Sequence, residues 1–153
     1  GAGFMVGSPF QDTDCLVKDL RFLQALRPQM VGIGPFIPHH DTPFAAHPAG
    51  SAERPLVCLA IVRLMLPRVL LPATPALSTV EADGRIKGMD AGCNVIMPNL
   101  SPRDLRGKYL LYDNKAAVGL EAAESVEAIR RSLEAAGYEI AWGRGDYLNG
   151  KKG

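Results

Sequence analysis

The chain has 153 residues, 47% of them hydrophobic and 22% charged, and its 17 basic and 16 acidic side chains leave a formal charge of +1. An apolar fraction at the globular norm excludes a disordered segment, and near-neutral charge gives no electrostatic reason to expect nucleic acid as a partner. The best apolar run, Leu56 to Leu71, is broken by Arg63, Pro67 and Arg68, whereas a membrane helix needs roughly 18 uninterrupted apolar residues, so a soluble, non-membrane protein is expected.

The opening run Gly3-Phe4-Met5-Val6-Gly7 reads as a strand, with no Met start, signal peptide or leading helix before it. The expectation is a segment of something longer. Gly7-Ser8-Pro9 ends the strand, and Asp12-Thr13-Asp14 supplies an N-cap and early negative charge for a helix whose Leu16, Val17, Leu20 and Leu23 share one face. The pattern restarts at Met30-Val31-Gly32-Ile33-Gly34 and passes through a Pro-rich loop, Pro35 to Pro48. It reaches a helix with Pro55 near its first turn and Leu56, Leu59, Ala60 and Leu64 expected to face inward, before Pro67 stops it.

A third run, Val69 to Thr74, leads through a polar stretch to a short helix closing at Ala91-Gly92, where Gly92 is the expected left-handed cap. A fourth, Asn94-Val95-Ile96-Met97, precedes a loop, Pro98 to Pro102, and a last helix, Glu121 to Ala136, capped by Gly137. That helix has Ala122, Val126, Ile129 and Leu133 as its stripe and pairs Glu127 with Arg131. Four short apolar strands separated by helices predict an α/β chain with a parallel sheet. They equal half of a (β/α)8 TIM-type barrel or half of a doubly wound sheet, and the barrel half is preferred because the loops after the strands are rich in Pro, Gly, His, Thr and Asn.

The 28 Gly and Pro residues are dispersed as punctuation of short elements. Cys15, Cys58 and Cys93 never approach the close spacing of metal sites; they read as small buried hydrophobes of a reducing cytoplasm. His39-His40-Asp41, with His47 nearby, is the obvious metal candidate. Adjacent histidines on an extended loop point apart, however, so a hydrogen-bonded loop is the preferred reading and no metal ligand is assigned. Gly3-x-x-x-Gly7 lacks the third glycine and acidic partner of a dinucleotide fingerprint, and no nucleophile elbow or Walker sequence is present. Tyr109 and Tyr112 would lie on one side of a helical turn, as core or as site.

The strings Gly3 to Pro9, Met30 to His39 with Asp41-Thr42-Pro43, and Cys93 to Asn99 closely resemble the C-terminal half of the HydE family of [FeFe]-hydrogenase maturases. These are radical S-adenosylmethionine (SAM) enzymes of the biotin synthase-like group, and the similarity runs from residue 1 to about 136. The resemblance implies a barrel in which a [4Fe-4S] cluster binds SAM and cleaves it to a 5′-deoxyadenosyl radical. That radical acts on a small iron-containing substrate during assembly of the hydrogenase active-site cluster. The family's Cys-x3-Cys-x2-Cys motif lies in its N-terminal half and is absent here, so the chain alone is expected to be inactive. The implied partners are the missing N-terminal half-barrel and other hydrogenase maturation proteins.

By the same resemblance Pro35, Phe36 and Ile37 pack on the SAM adenine, and Pro72 and Ala76 are further SAM-side contacts. Met30, Thr74, Met97, Tyr109 and Tyr112 line an internal substrate cavity, and no catalytic residue is assigned. Phe10 stands where the related pattern has Gly, which would crowd the first loop, and Pro75 stands where the family tends to have Thr. Pro72 replaces the cluster-ligating Arg of biotin synthase, which counts against that relative. Methylornithine synthase and a non-catalytic small-molecule binding module are the alternatives. The expected organisation is one partial domain, a half-barrel over about 1–136 with a tail at 137–153.

Overall fold

A computed structural model describes residues 1–98 and 126–147. Its elements are β1 (Ala2–Val6), α1 (Thr13–Leu26), β2 (Val31–Pro35), α2 (Glu53–Met65), β3 (Pro72–Ala73), α3 (Pro75–Val80), α4 (Gly84–Asp90), β4 (Val95–Ile96) and α5 (Val126–Ala135). All three strand pairings are parallel, in the order β1-β2-β3-β4. A doubly wound sheet would send its fourth strand back beside the first, so sequential order is the order of half a (β/α)8 barrel.

Local chemistry sets the element ends. Asp12 accepts a 2.8 Å hydrogen bond from the Cys15 amide and caps α1, as expected from the sequence. Gly92 takes φ +105° after α4, the left-handed closure its position predicts. Arg63 of α2 reaches this turn, its Nε donating to the Gly92 carbonyl at 2.7 Å and its Nη1 to the Pro67 carbonyl at 2.8 Å. Asn94 places its side-chain oxygen 2.8 Å from the Leu71 amide while its own amide donates to the Leu71 carbonyl at 2.9 Å. One residue thus satisfies both backbone groups of Leu71 where the short β3 cannot.

Helices cover one face of the sheet. Val6, Val31, Ile33, Leu71 and Ala73 point into a core shared with Leu16, Leu23, Cys58, Leu59, Val62 and Leu77. Each large side chain buried there contributes roughly 1.5–3 kcal/mol of hydrophobic free energy. Leu64 is a correction: it is 82% exposed, and α2 buries the row Pro55, Cys58, Leu59 and Val62. That helix is apolar nearly all round, so its sequence does not single out the inward face. Val17 of α1 is likewise exposed, at the margin of the Leu16–Leu23 stripe.

The stretch expected to be irregular before the short helix is itself helical, as α3, and the extended Glu81 separates it from α4. The fourth unit's helix is described from Val126 onward. Ile129 and Leu133 are buried and Glu127 pairs with Arg131 as expected, whereas Val126 is exposed. Ala122 lies outside the described residues. No helix among the described residues is long and apolar enough to cross a membrane.

Candidate functional site at the C-terminal ends of the strands

Side chains alternate along each strand, so the register sorts residues into rows. Ala2, Phe4 and Val6 pair with Val31, Ile33 and Pro35, and Ile33 pairs with Ala73, which pairs with Ile96. These are the helix-side rows. The alternate residues form rows on the face turned away from the helices: Gly3, Gly32, Pro72 and Val95 in one, and Met5 and Gly34 in the next toward the C-terminal ends, continued by Thr74 and Met97 one residue past β3 and β4. Met5 is 58% exposed and Met97 is also exposed, so this face is apolar and open among the described residues.

Glycine makes the second row possible. A Cβ on Gly34 would stand 2.7 Å from Thr74 Oγ1, whereas one on Gly32 would meet nothing within 4 Å. Thr74 precedes α3 in extended conformation, with Pro75 at the first helical position, where its missing N–H costs nothing. The Thr74 hydroxyl donates to the Ile33 carbonyl at 3.3 Å, which leaves its lone pairs for a ligand.

The rim above this row is built from two loops. Gln11 closes the first: its Oε1 accepts from the Gly7 amide at 2.7 Å and its Nε2 donates to the Met5 carbonyl at 2.9 Å. Phe10 does not crowd this loop, as its place in the sequence led us to expect. The ring turns outward and the residue takes φ +65°, so the loop keeps a geometry that favours glycine. The second loop folds back on itself, the Phe36 amide donating to the Val6 carbonyl and the Gly50 amide to the Phe36 carbonyl, each at 2.8 Å. Phe44 packs edge-on against Phe10, Phe36 and His47 at ring separations of 6.4, 6.2 and 5.5 Å.

The structure therefore brings Thr74 and Met97 into one row, with Pro35, Ile37 and Ala76 at the same end of the sheet. Pro35, Pro72 and Ala76 are buried and Ile37 is half-buried. The Phe36 ring is 6% exposed and committed to the aromatic cluster. Met30 shares the open face but lies at its opposite end, bridged to Leu70 and accepting the Ala2 amide at 2.9 Å. Four residues at about 3.3 Å each separate it from the Gly34 level. Tyr109 and Tyr112 lie outside the described residues. Met5 of the same row was not among the expected site residues; the alternation of β1 with Val6 turned inward was the signal for its place.

The thiols do not fit iron–sulfur ligation. Burial pushes the Cys93 thiol up to about 12 and the Cys58 thiol upward as well, so both stay protonated and inert. Cys15 is half-buried, and all three are free. His39 and His40 do not point apart: a turn in which the Thr42 amide and hydroxyl both donate to the His39 carbonyl stacks their rings at 4.3 Å.

The chain is similar to the [FeFe] hydrogenase maturase subunit HydE of Thermotoga maritima, with 42% identity over 137 residues, covering 90% of this chain and 39% of that protein. It is also similar to the 3-methylornithine synthases of Methanosarcina acetivorans and Methanosarcina barkeri, with 28% identity over 131 residues and 27% over 130, each covering 85% of this chain and 36% of the relative. No protein-family profile matches the chain. It thus spans under two-fifths of the length of these relatives.

Proposed function

We propose that this chain, related in sequence to HydE over nine-tenths of its own length, is the C-terminal part of a radical SAM enzyme that acts on a small iron-containing substrate in hydrogenase cluster assembly. The observation that carries the reading is the open row Met5, Gly34, Thr74 and Met97 beneath a loop rim, in a chain that matches HydE with 42% identity. When bound, a [4Fe-4S] cluster and SAM supply a 5′-deoxyadenosyl radical. This chain's own part is to position and to exclude water.

The room above Gly32 suits a bulky ligand on the sheet face, and Ile37 and Ala76, at the end of β2 and the start of α3, suit the apolar wall that an adenine needs, with Pro35, Phe36 and Pro72 packed beside them. Thr74 offers acceptor lone pairs to a substrate, while Met97, Met5 and Met30 give a dry wall along the same face. Inert Cys58 and Cys93 agree with cluster ligands supplied by the N-terminal half-barrel, the implied partner. The similarity to 3-methylornithine synthases is weaker, at 28% and 27%, and ranks that chemistry second.

The test is a chimera in which this chain follows the N-terminal part of the Thermotoga maritima relative. After anaerobic reconstitution it is expected to form 5′-deoxyadenosine from SAM, and the isolated chain is not. A chimera that folds, holds its cluster and still leaves SAM intact would count against the reading. Turnover of SAM by the isolated chain would contradict the assignment of its partner.

A further inference from the structure

The loop between β2 and α2 carries a donor cluster that the reading above leaves unused. We propose that His39, His40 and Asp41 form a binding site for a borderline divalent cation of the Zn2+ type. Their three ligand atoms lie within 4.8 Å of one another. His40 Nε2 stands 3.3 Å from Asp41 Oδ2, and His39 Nδ1 stands 4.0 Å from the same oxygen. Around a metal held at about 2.0–2.1 Å by nitrogen and oxygen, the edge of a tetrahedron is about 3.3 Å, so one edge is already in place. The second closes with a shift of less than 1 Å, and the third, between the two imidazole nitrogens at up to 4.8 Å, closes by rotation of the exposed His40 side chain.

The orientation of His39 agrees with the distances. The Asp41 amide donates to His39 Nδ1 at 3.2 Å, so the lone pair of that nitrogen already points at the Asp41 side of the cluster. The hydrogen bond is long, and a cation in its place gains far more from the same lone pair. The two imidazoles are stacked at 4.3 Å with 24° between planes, so the exposed His40 ring has to turn out of the stack for both in-plane lone pairs to meet one ion. Pro38 and Pro43 flank the segment and the Thr42 amide and hydroxyl close its turn, so little chain entropy is left to lose on binding.

Donor chemistry selects the ion class. Two imidazoles and one carboxylate suit Zn2+ and its neighbours, whereas Mg2+ and Ca2+ prefer all-oxygen sets and Cu+ prefers thiolates. His39 is the anchored ligand, its side chain 22% exposed, while His40 and Asp41 are 68% and 76% exposed and leave a fourth position to water. His47 is not a member: it packs edge-on against Phe10 and Phe44 in the aromatic cluster.

The experiment titrates Zn2+ into the full chain by calorimetry, and Co2+ by its ligand-field absorption, in a Cys15→Ser background that removes the one thiol that is not buried. One equivalent is expected to bind with a dissociation constant on the order of micromolar. His40→Ala and Asp41→Ala should each weaken it by at least about tenfold, the loss that removing even an outer-shell partner causes, while His47→Ala leaves it unchanged. Circular dichroism of each variant confirms that the fold is retained. Absence of binding at about a hundred times that concentration would overturn the proposal, as would binding that survives both variants or that His47→Ala weakens equally.

Discussion

Phe10 is the one loop residue at the first strand end that holds a left-handed backbone without being glycine, at φ +65°. An L-residue there carries roughly 1–2 kcal/mol of steric cost, which glycine escapes. Its ring recovers part of this by edge contacts with Phe44 and His47, at 6.4 and 5.9 Å. Comparing two truncations removes the ring from consideration, so Phe10→Gly should be more stable than Phe10→Ala by about 1 kcal/mol in urea unfolding. Equal stabilities would show that the backbone at residue 10 carries no cost. The cysteines follow the same residue-scale logic: dispersal along the chain predicted buried thiols, which Cys58 and Cys93 are and half-buried Cys15 is not, and desolvation keeps the buried pair protonated.

At the scale of the strand, β2 presents two glycines to the open face in opposite circumstances. Gly34 is held against Thr74, and a methyl group there would meet the hydroxyl at 2.7 Å and Ala76 at 3.4 Å. Gly34→Ala should therefore cost about 1–2 kcal/mol, as overpacking does, and displace the hydroxyl from the Ile33 carbonyl. Gly32→Ala meets nothing within 4 Å and should stay within about 0.5 kcal/mol of the parent. Thermal melting of the two variants measures the contrast. Equal melting temperatures would mean that the Gly34–Thr74 approach does not constrain β2. The helices show how legible such elements are. Capping at Asp12 and Gly92 was readable because it depends on neighbours in sequence, whereas the inward row of α2 was not, because apolar residues surround it.

For the whole molecule, the unpaired outer edges of β1 and β4 and the methionine-lined face are the exposed features that matter among the described residues. Parallel strands with free N–H and C=O groups template pairing with another chain, and a barrel removes such edges by closing. The isolated chain is accordingly expected to self-associate, with a mass by light scattering that rises with concentration. In the chimera described above the same edges would be paired, and the rise should vanish. A chain that remains monomeric at every concentration would argue that its edges are covered from within.

The sequence by itself determined the four strand–helix units, their parallel character, the caps at Asp12 and Gly92 and the likeness to HydE, since all of these depend on periodicity, neighbouring residues or strings of identity. Only the tertiary structure decided that Met5, Gly34, Thr74 and Met97 share a row, that Met30 sits at its far end, that Leu64 faces out and that His39 and His40 stack over Asp41. The physical reason is common to these cases. Register between strands, the choice of a helix face and the closure of a turn are settled by contacts across the sheet and the loops, where a shift of one residue along a strand reverses which side chain meets a ligand.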